Sequence, residues 1–397
     1  MKEVVIVDAV RTPVGKHGGM LMKFTALDLT EKIIKGLIDR TKIDPATISE
    51  VIIGNVFQSS DAPNVARVAA LKAGIPKEVP AYTVARNCDS GMDAIVQAWR
   101  CIQVGDGDIY LVGGVESMST IPYLVRGARW GLKLRHSELT DALWEGLTDP
   151  NCGQIMGRTA ENLVEEYKLT REQQDEFAVQ SHQKAYKAQQ EGKFKDEIIG
   201  IEVKRRKEIK LLSEDETINP ALTMEKAALA PAVFKEDGSV TPANACSISD
   251  GASAMLIMTA EKAAELGYTP LVRIVSYDYA GVEPQRMGIA PAYAVPKALE
   301  KAGLKLEQMD LIEINEAFSS QVLAVGKELG LDWEKVNVNG GAIALGHPVG
   351  SSGSRIVVTL VHEMNRRKKE GIPVKYGLAT LCAEGGQGSA LIVELVE

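Results

Sequence analysis

Along the first 120 residues, short aliphatic runs alternate with stretches whose apolar positions recur every three or four residues. Val4–Val7, Val51–Ile53, Ala81–Val84 and Ile109–Val112 are short and rich in strand formers. Between them, residues 26–40 and 64–73 carry apolar side chains at helical spacing. So does the run after residue 90, through Ile95, Val96, Ala98, Trp99 and Ile102. This alternation predicts an α/β layered fold. From about Ile121 to Thr241 charge increases, and a long amphipathic helix is predicted from Thr170 to Glu191. Thr170 stands as its N-cap and Gln173 in the capping-box position. This segment reads as an inserted loop or cap domain. From about Leu271 the α/β pattern resumes.

The resumed pattern echoes the first. V-V-I-V-D-A-V from Val4 parallels L-V-R-I-V-S-Y from Leu271. V-I-I-G-N-V-F-Q-S-S from Val51 parallels L-I-E-I-N-E-A-F-S-S from Leu311, and S-G-M-D-A-I-V-Q-A from Ser90 parallels S-G-S-R-I-V-V-T-L from Ser352. Three echoes in one order predict a duplicated α/β unit. The expected halves are residues 1–120 with 242–270, and 271–397, with residues 121–241 as the inserted domain. Loops of the two halves should then face one another.

An apolar content of 45% and a charged content of 25% place the chain among ordinary globular proteins. A net charge of −8 argues against a general nucleic-acid binder. The basic run Lys204-Arg205-Arg206-Lys207 reads as a solvated face. No apolar stretch is long enough to span a membrane, and the N-terminus reads as a strand, not a signal peptide. Five scattered cysteines suggest neither a disulfide framework nor a metal site. A reducing, cytoplasmic setting is expected.

Cys88 lies in V-A-R-N-C-D-S-G-M, where a strand is predicted to turn into the N-terminus of a helix. Helix N-termini lower a thiol's pKa and favour the nucleophilic thiolate. Ser90 and Gly91 allow a tight turn and close approach of a ligand. Three further stretches stand out. I-N-E-A-F puts the polar pair Asn315-Glu316 between an apolar strand and a helix. N-G-G-A-I-A-L-G-H-P-V-G-S-S-G, residues 339–353, sets His347 at a proline-braced turn among glycines. G-L-A-T-L-C-A-E-G-G-Q-G, residues 377–388, ends a strand at Cys382 before a glycine-rich turn.

Together these stretches resemble the thiolase family, specifically its acetyl-CoA acetyltransferase group, nearly end to end. V-G-G-V-E-S-M-S (112–119), M-G-R-T-A-E-N (156–162) and V-T-P-A-N-A-C-S-I-S-D-G-A (240–252) extend the match. R-W-G-L-K-L (129–134) resembles the loop of the small-substrate, tetrameric branch. The resemblance implies two α/β halves in α-β-α-β-α layers, with the inserted segment capping a CoA tunnel. It implies a ping-pong acyl transfer in which Cys88 carries the acyl group, His347 takes its proton and Cys382 is the second acid/base. His347 and a water on Asn315 would form one oxyanion hole, the backbone N–H groups of Cys88 and Glu384 the other. Glu316 would orient the histidine network. Met156, Cys246, Ala317 and Phe318 would lie along CoA. CoA and acyl-CoA are then substrates, no metal or other cofactor is expected, and a homodimer or homotetramer is implied.

Several positions depart from the family pattern. Glu384 replaces the glycine of Cys-x-Gly, which raises the questions of a positive φ and of a carboxylate beside an oxyanion. Ile155, Cys246, Asn219, Ala85 and Asp89 also differ from the usual residues. The expected reaction is thiolysis or Claisen condensation with acetoacetyl-CoA as the default substrate. A bulkier or functionalised 3-oxoacyl-CoA, with or without an accessory subunit, is the alternative. A decarboxylating ketoacyl synthase and a non-catalytic acyl-CoA scaffold are the competing readings.

Overall fold

The computed structural model describes residues 1–205 and 208–396. Arg206 and Lys207 of the basic run lie outside the described residues. The first half contributes strands β1 (Val4–Arg11), β2 (Glu50–Gly54), β3 (Ala81–Val84), β4 (Ile109–Ser117) and β5 (Ser249–Thr259). Helices α1 (Ala26–Thr41), α2 (Val65–Lys72) and α3 (Ser90–Val104) connect them. The inserted segment carries α4 (Met156–Tyr167) and α5 (Arg171–Gln190). The second half contributes β6 (Val272–Gly281), α6 (Pro291–Ala302), β7 (Leu311–Ile314), α7 (Ser319–Leu329), α8 (Val349–Lys369), β8 (Tyr376–Ala383) and β9 (Gln387–Leu395).

The strands pair in the order β7-β8-β9-β6-β1-β5-β4-β2-β3. β2 is parallel to β3 and β4, and β7 is parallel to β8. The echoes in the sequence hold matching places: β1 with β6, β2 with β7, α3 with α8. β1 and β6 share only the pairs Val5–Arg273 and Ile6–Val272, so two sheets meet at a narrow seam.

Three large hydrophobic cores among the described residues separate the layers. Val51 and Ile53 of β2 face α1 and α2, through Leu29, Ile33 and Ala69. Ile52 faces inward, to Met92 and Ile95 of α3 and Ile356 and Leu360 of α8. Ile312 and Ile314 of β7 face α6 and α7, through Val295 and Val322. Alternate residues of one strand thus enter two cores, which is why these strands read as unbroken apolar runs. The layers run α-β-α-β-α, with α3 and α8 in the middle.

Gly91 and Gly353 explain that central contact. A Cβ on Gly91 would lie 2.5 Å from Ser354 Oγ, and one on Gly353 would lie 2.6 Å from Met92 N. The close approach that Gly91 permits is therefore to α8, where the sequence suggested a ligand.

α5 begins at Thr170, whose hydroxyl and Gln173 form the expected capping box. Its buried face, however, is not an apolar stripe. Gln174, Asp175, Ser181 and His182 are buried there with small residues such as Ala178 and Ala185. Arg11 of β1 ties the inserted segment to the first half. It is buried, with bonds of 2.6 Å to Glu197 and 2.7 Å to Asp215.

Candidate active site

Cys88 stands between β3 and α3. Asn87 before it has φ +46°, a left-handed turn, and Ser90 staples that turn by donating to Asn87 O at 2.6 Å while accepting from Arg86 N at 2.8 Å. His347 stands between Gly346, at φ +88°, and Pro348, which caps α8. Cys382 stands near the end of β8, paired in register with Gly388 of β9. The turn between these strands uses positive φ at Gly385 and Gly386. Glu384 is not in the left-handed region, so its replacement of glycine carries no strain of that kind.

These three loops share one cavity of about 200 Å³, lined by Cys88, His347, Cys382 and Glu384. Met156, Cys246, Ala317 and Phe318 line it too, with Ile155. The site is laced together at its rim: Asn87 Nδ2 donates to the backbone carbonyl of Glu384 at 3.1 Å, joining the two cysteine loops. A roomier cleft of about 320 Å³, between α5 and α7, contains no cysteine or histidine.

Asn315 and Glu316 stand behind the cavity wall. Asn315 is fully buried, and neither side-chain polar atom has a protein partner among the described residues. Buried amides of this kind are commonly satisfied by bound water. Glu316 accepts from Ser181 Oγ at 2.6 Å, Asn337 Nδ2 at 2.7 Å and Ile343 N at 3.1 Å. Its bonds hold the 341–343 turn that leads to His347 and do not reach the imidazole. Asn219 lies away from the cavity, its N–H donating to His182 Nδ1 at 3.1 Å.

Four contributors were not legible in the sequence: Ser352, Asn87, Glu116 and Ser181. His347 Nδ1 and Ser352 Oγ are 2.6 Å apart, and Ser352 Oγ lies 3.0 Å from the carbonyl of Pro348. A hydroxyl has one proton. Given to Pro348 O, it makes Ser352 an acceptor and fixes the proton of His347 on Nδ1. Nε2 is then left as the base. Glu116 accepts from Val56 N at 3.0 Å and Gly350 N at 3.2 Å, anchoring the start of α8. The spacing of Ser352, one turn into the helix after His347, is the signal that could have revealed it.

The electrostatics reverse one expectation. The thiol of Cys88 is pushed well above its ordinary value, by burial first and then by Cys382, Asp89, Glu384 and Cys246. Burial likewise pushes Cys382 up. Burial, with Arg355 adding to it, lowers His347 to about 3. Both shifts favour a neutral thiol and a neutral imidazole in the resting cavity. Ionisation of Cys88 requires transfer of its proton as the sulfur attacks. Glu384 is raised to about 7, by burial and then by Asp149.

Comparison with known proteins gives the family. The thiolase N-terminal domain family matches residues 4–261 and the thiolase C-terminal domain family residues 268–395. The chain belongs to the thiolase family. It is 50% identical to an acetyl-CoA acetyltransferase of Pseudomonas aeruginosa, over 98% of this chain and 99% of that protein. It is 45% identical to a probable acetyl-CoA acyltransferase of Staphylococcus epidermidis, over the full length of both. Among solved structures, the Bacillus anthracis acetyl-CoA acetyltransferase superposes with a TM-score of 0.97 at 47% identity, covering 100% of this chain and 99% of that one. Human mitochondrial 3-ketoacyl-CoA thiolase in complex with CoA superposes at 0.95 and 46%, covering 100% and 98%. The thiolase fold expected from the sequence is the fold observed, and this thiolase is an acyltransferase.

Proposed function

We propose that this thiolase cleaves 3-oxoacyl-CoA with CoA, and runs the reverse condensation, through an acyl group carried on Cys88, with acetoacetyl-CoA as the default substrate. The observation that carries this reading is the convergence of Cys88, His347 and Cys382 from three distant loops on one largely apolar cavity. In thiolysis, His347 Nε2 takes the Cys88 proton as the sulfur attacks the 3-oxo carbon. The bond between C2 and C3 breaks. The departing acetyl-CoA carbanion receives a proton from Cys382. The Cys382 thiolate then takes the proton of incoming CoA, whose sulfur attacks the acyl carbon and expels the Cys88 thiolate, and Cys88 recovers its proton from His347. His347 with a water on Asn315 serves one developing oxyanion, and the N–H groups of Cys88 and Glu384 serve the other. Neutral resting groups suit this chemistry, since charge then appears only as bonds change.

In this reading CoA and acyl-CoA are substrates and no resident cofactor enters a step. Met156, Cys246, Ala317 and Phe318 support pantetheine by apolar contact. An arm with exposed Trp130, Leu132 and Leu134 supports a homo-oligomer, as a dimer or tetramer. Five free cysteines support a reducing, cytoplasmic setting. Among the described residues, no helix is long and apolar enough to cross a membrane.

The test is CoA-dependent loss of acetoacetyl-CoA enolate absorbance. Wild type should cleave it, and Cys88→Ala should lose roughly 10³-fold or more of the rate, as nucleophile removal does elsewhere. Cleavage unaffected by the substitution would rule out the acyl-Cys88 route.

A further inference from the structure

Among the described residues, Glu384 is the only carboxylate lining the cavity, and no lysine or arginine lines it. Its carboxyl has no hydrogen-bond or ion-pair partner among the described residues, although the residue's own carbonyl is fixed by Asn87. The side chain is thus anchored two residues from Cys382, at a loop bonded to the one that holds Cys88. The cavity wall is mostly apolar, with Leu147, Ile155, Met156 and Phe318 in it, and its polar side chains Ser247, His347 and the three cysteines make no hydrogen bond to Glu384 among the described residues. The Glu384 carboxyl is half-buried and still reached by solvent, so an acyl chain that displaces that solvent costs free energy unless it supplies a donor.

We propose that Glu384 is a specificity residue that selects acyl chains bearing an ammonium group within a few bonds of the thioester carbonyl. This rests on the acyl-transfer reading given above. Two observations favour a cation over a neutral donor. Asp149 adds negative potential at Glu384, which a cation relieves and a hydroxyl does not. Asp149 itself is buried, with Oδ2 unpartnered among the described residues. A purely aliphatic acyl chain would instead desolvate Glu384 with no compensation.

The experiment uses three isosteric probes: butyryl-CoA, 3-hydroxypropionyl-CoA and β-alanyl-CoA. Their acyl groups differ only in a terminal methyl, hydroxyl or ammonium. Acylation of Cys88 is followed by intact-protein mass spectrometry, with acetyl-CoA as the reference. Each event forms the Sγ–acyl bond, breaks the CoA thioester bond and leaves the Cys88 proton on the released CoA thiol. Wild type should acylate faster from β-alanyl-CoA than from butyryl-CoA. Glu384→Gln and Glu384→Gly should reduce that ratio about tenfold or more, the worth of one charge-assisted hydrogen bond. An unchanged ratio, or equal slowing of all three probes, would overturn the proposal by assigning Glu384 to pantetheine or to structure. Preference for the hydroxyl probe would overturn the cationic assignment. Failure of wild type to acylate from any probe or from acetyl-CoA would defeat the acyl-transfer reading itself, and this proposal with it.

Discussion

His347 can accept a proton from Cys88 only while its Nε2 is bare, and Ser352 decides that. Replacing Ser352 with Ala leaves a buried N–H without its acceptor and frees the other tautomer. We expect about a tenfold fall in kcat, or about 1.4 kcal/mol of barrier, with KM little changed, measured by steady-state thiolysis. The depressed pKa of His347 also has a sign for stability. Between about 3 and 6.5 the unfolded chain binds a proton there that the folded chain does not. Its contribution is therefore complete above pH 6.5 and is lost as pH falls toward 3. His347→Gln should flatten the acid-side fall in Tm, read by thermal melts from about pH 7 to pH 4.5. A slope identical to wild type would show that other groups carry it. Cys88, His347 and Cys382 stood out as candidates because the glycines that flank them are local in sequence. Their pKa directions were not, since desolvation depends on neighbours from every layer.

At the scale of elements, strands and helices followed closely from their spacing. The predicted run Ala81–Val84 is β3, and the predicted capping box starts α5. What the pattern could not give was the partner of each face. α5 was read as amphipathic, yet its inner face delivers hydrogen bonds: Ser181 to Glu316, and Asp175 accepting from Asn244 Nδ2 at 2.8 Å. A polar side chain in a helix looks solvated until the tertiary structure supplies its partner. The α3–α8 contact yields the clearest prediction at this scale. Gly353→Ala forces a methyl against the backbone of Met92 and should cost about 1–3 kcal/mol. Because both helices begin at the site, acyl transfer should fall as well. Urea denaturation gives the first quantity, and a midpoint equal to wild type would mean the helices can separate freely.

At the scale of the whole molecule, the inserted segment is held against the first half by a buried charge cluster. Arg11 meets Glu197 and Asp215 and lies 5.2 Å from the ring centre of Phe194. Arg11→Ala would leave two buried carboxylates without their cation. A loss of about 3–5 kcal/mol is expected, larger than for any exposed ion pair. Chemical denaturation at neutral pH measures it. A loss below about 1 kcal/mol would mean that water reaches the cluster. The cavity wall draws on both the inserted segment, through Met156, and the second half, through Phe318, so loosening this clamp should also raise KM for CoA.

The sequence alone determined the strands, the main helices and the repeated order of elements, and it singled out Cys88, His347 and Cys382 as candidates, because each is written in residues close together along the chain. Only the tertiary structure decided that Cys88, His347 and Cys382 share one cavity, that Glu316 anchors a turn, and that Glu384 lines the same cavity without strain. Those outcomes depend on packing between segments hundreds of residues apart, and on the water that packing excludes. No local pattern encodes either one.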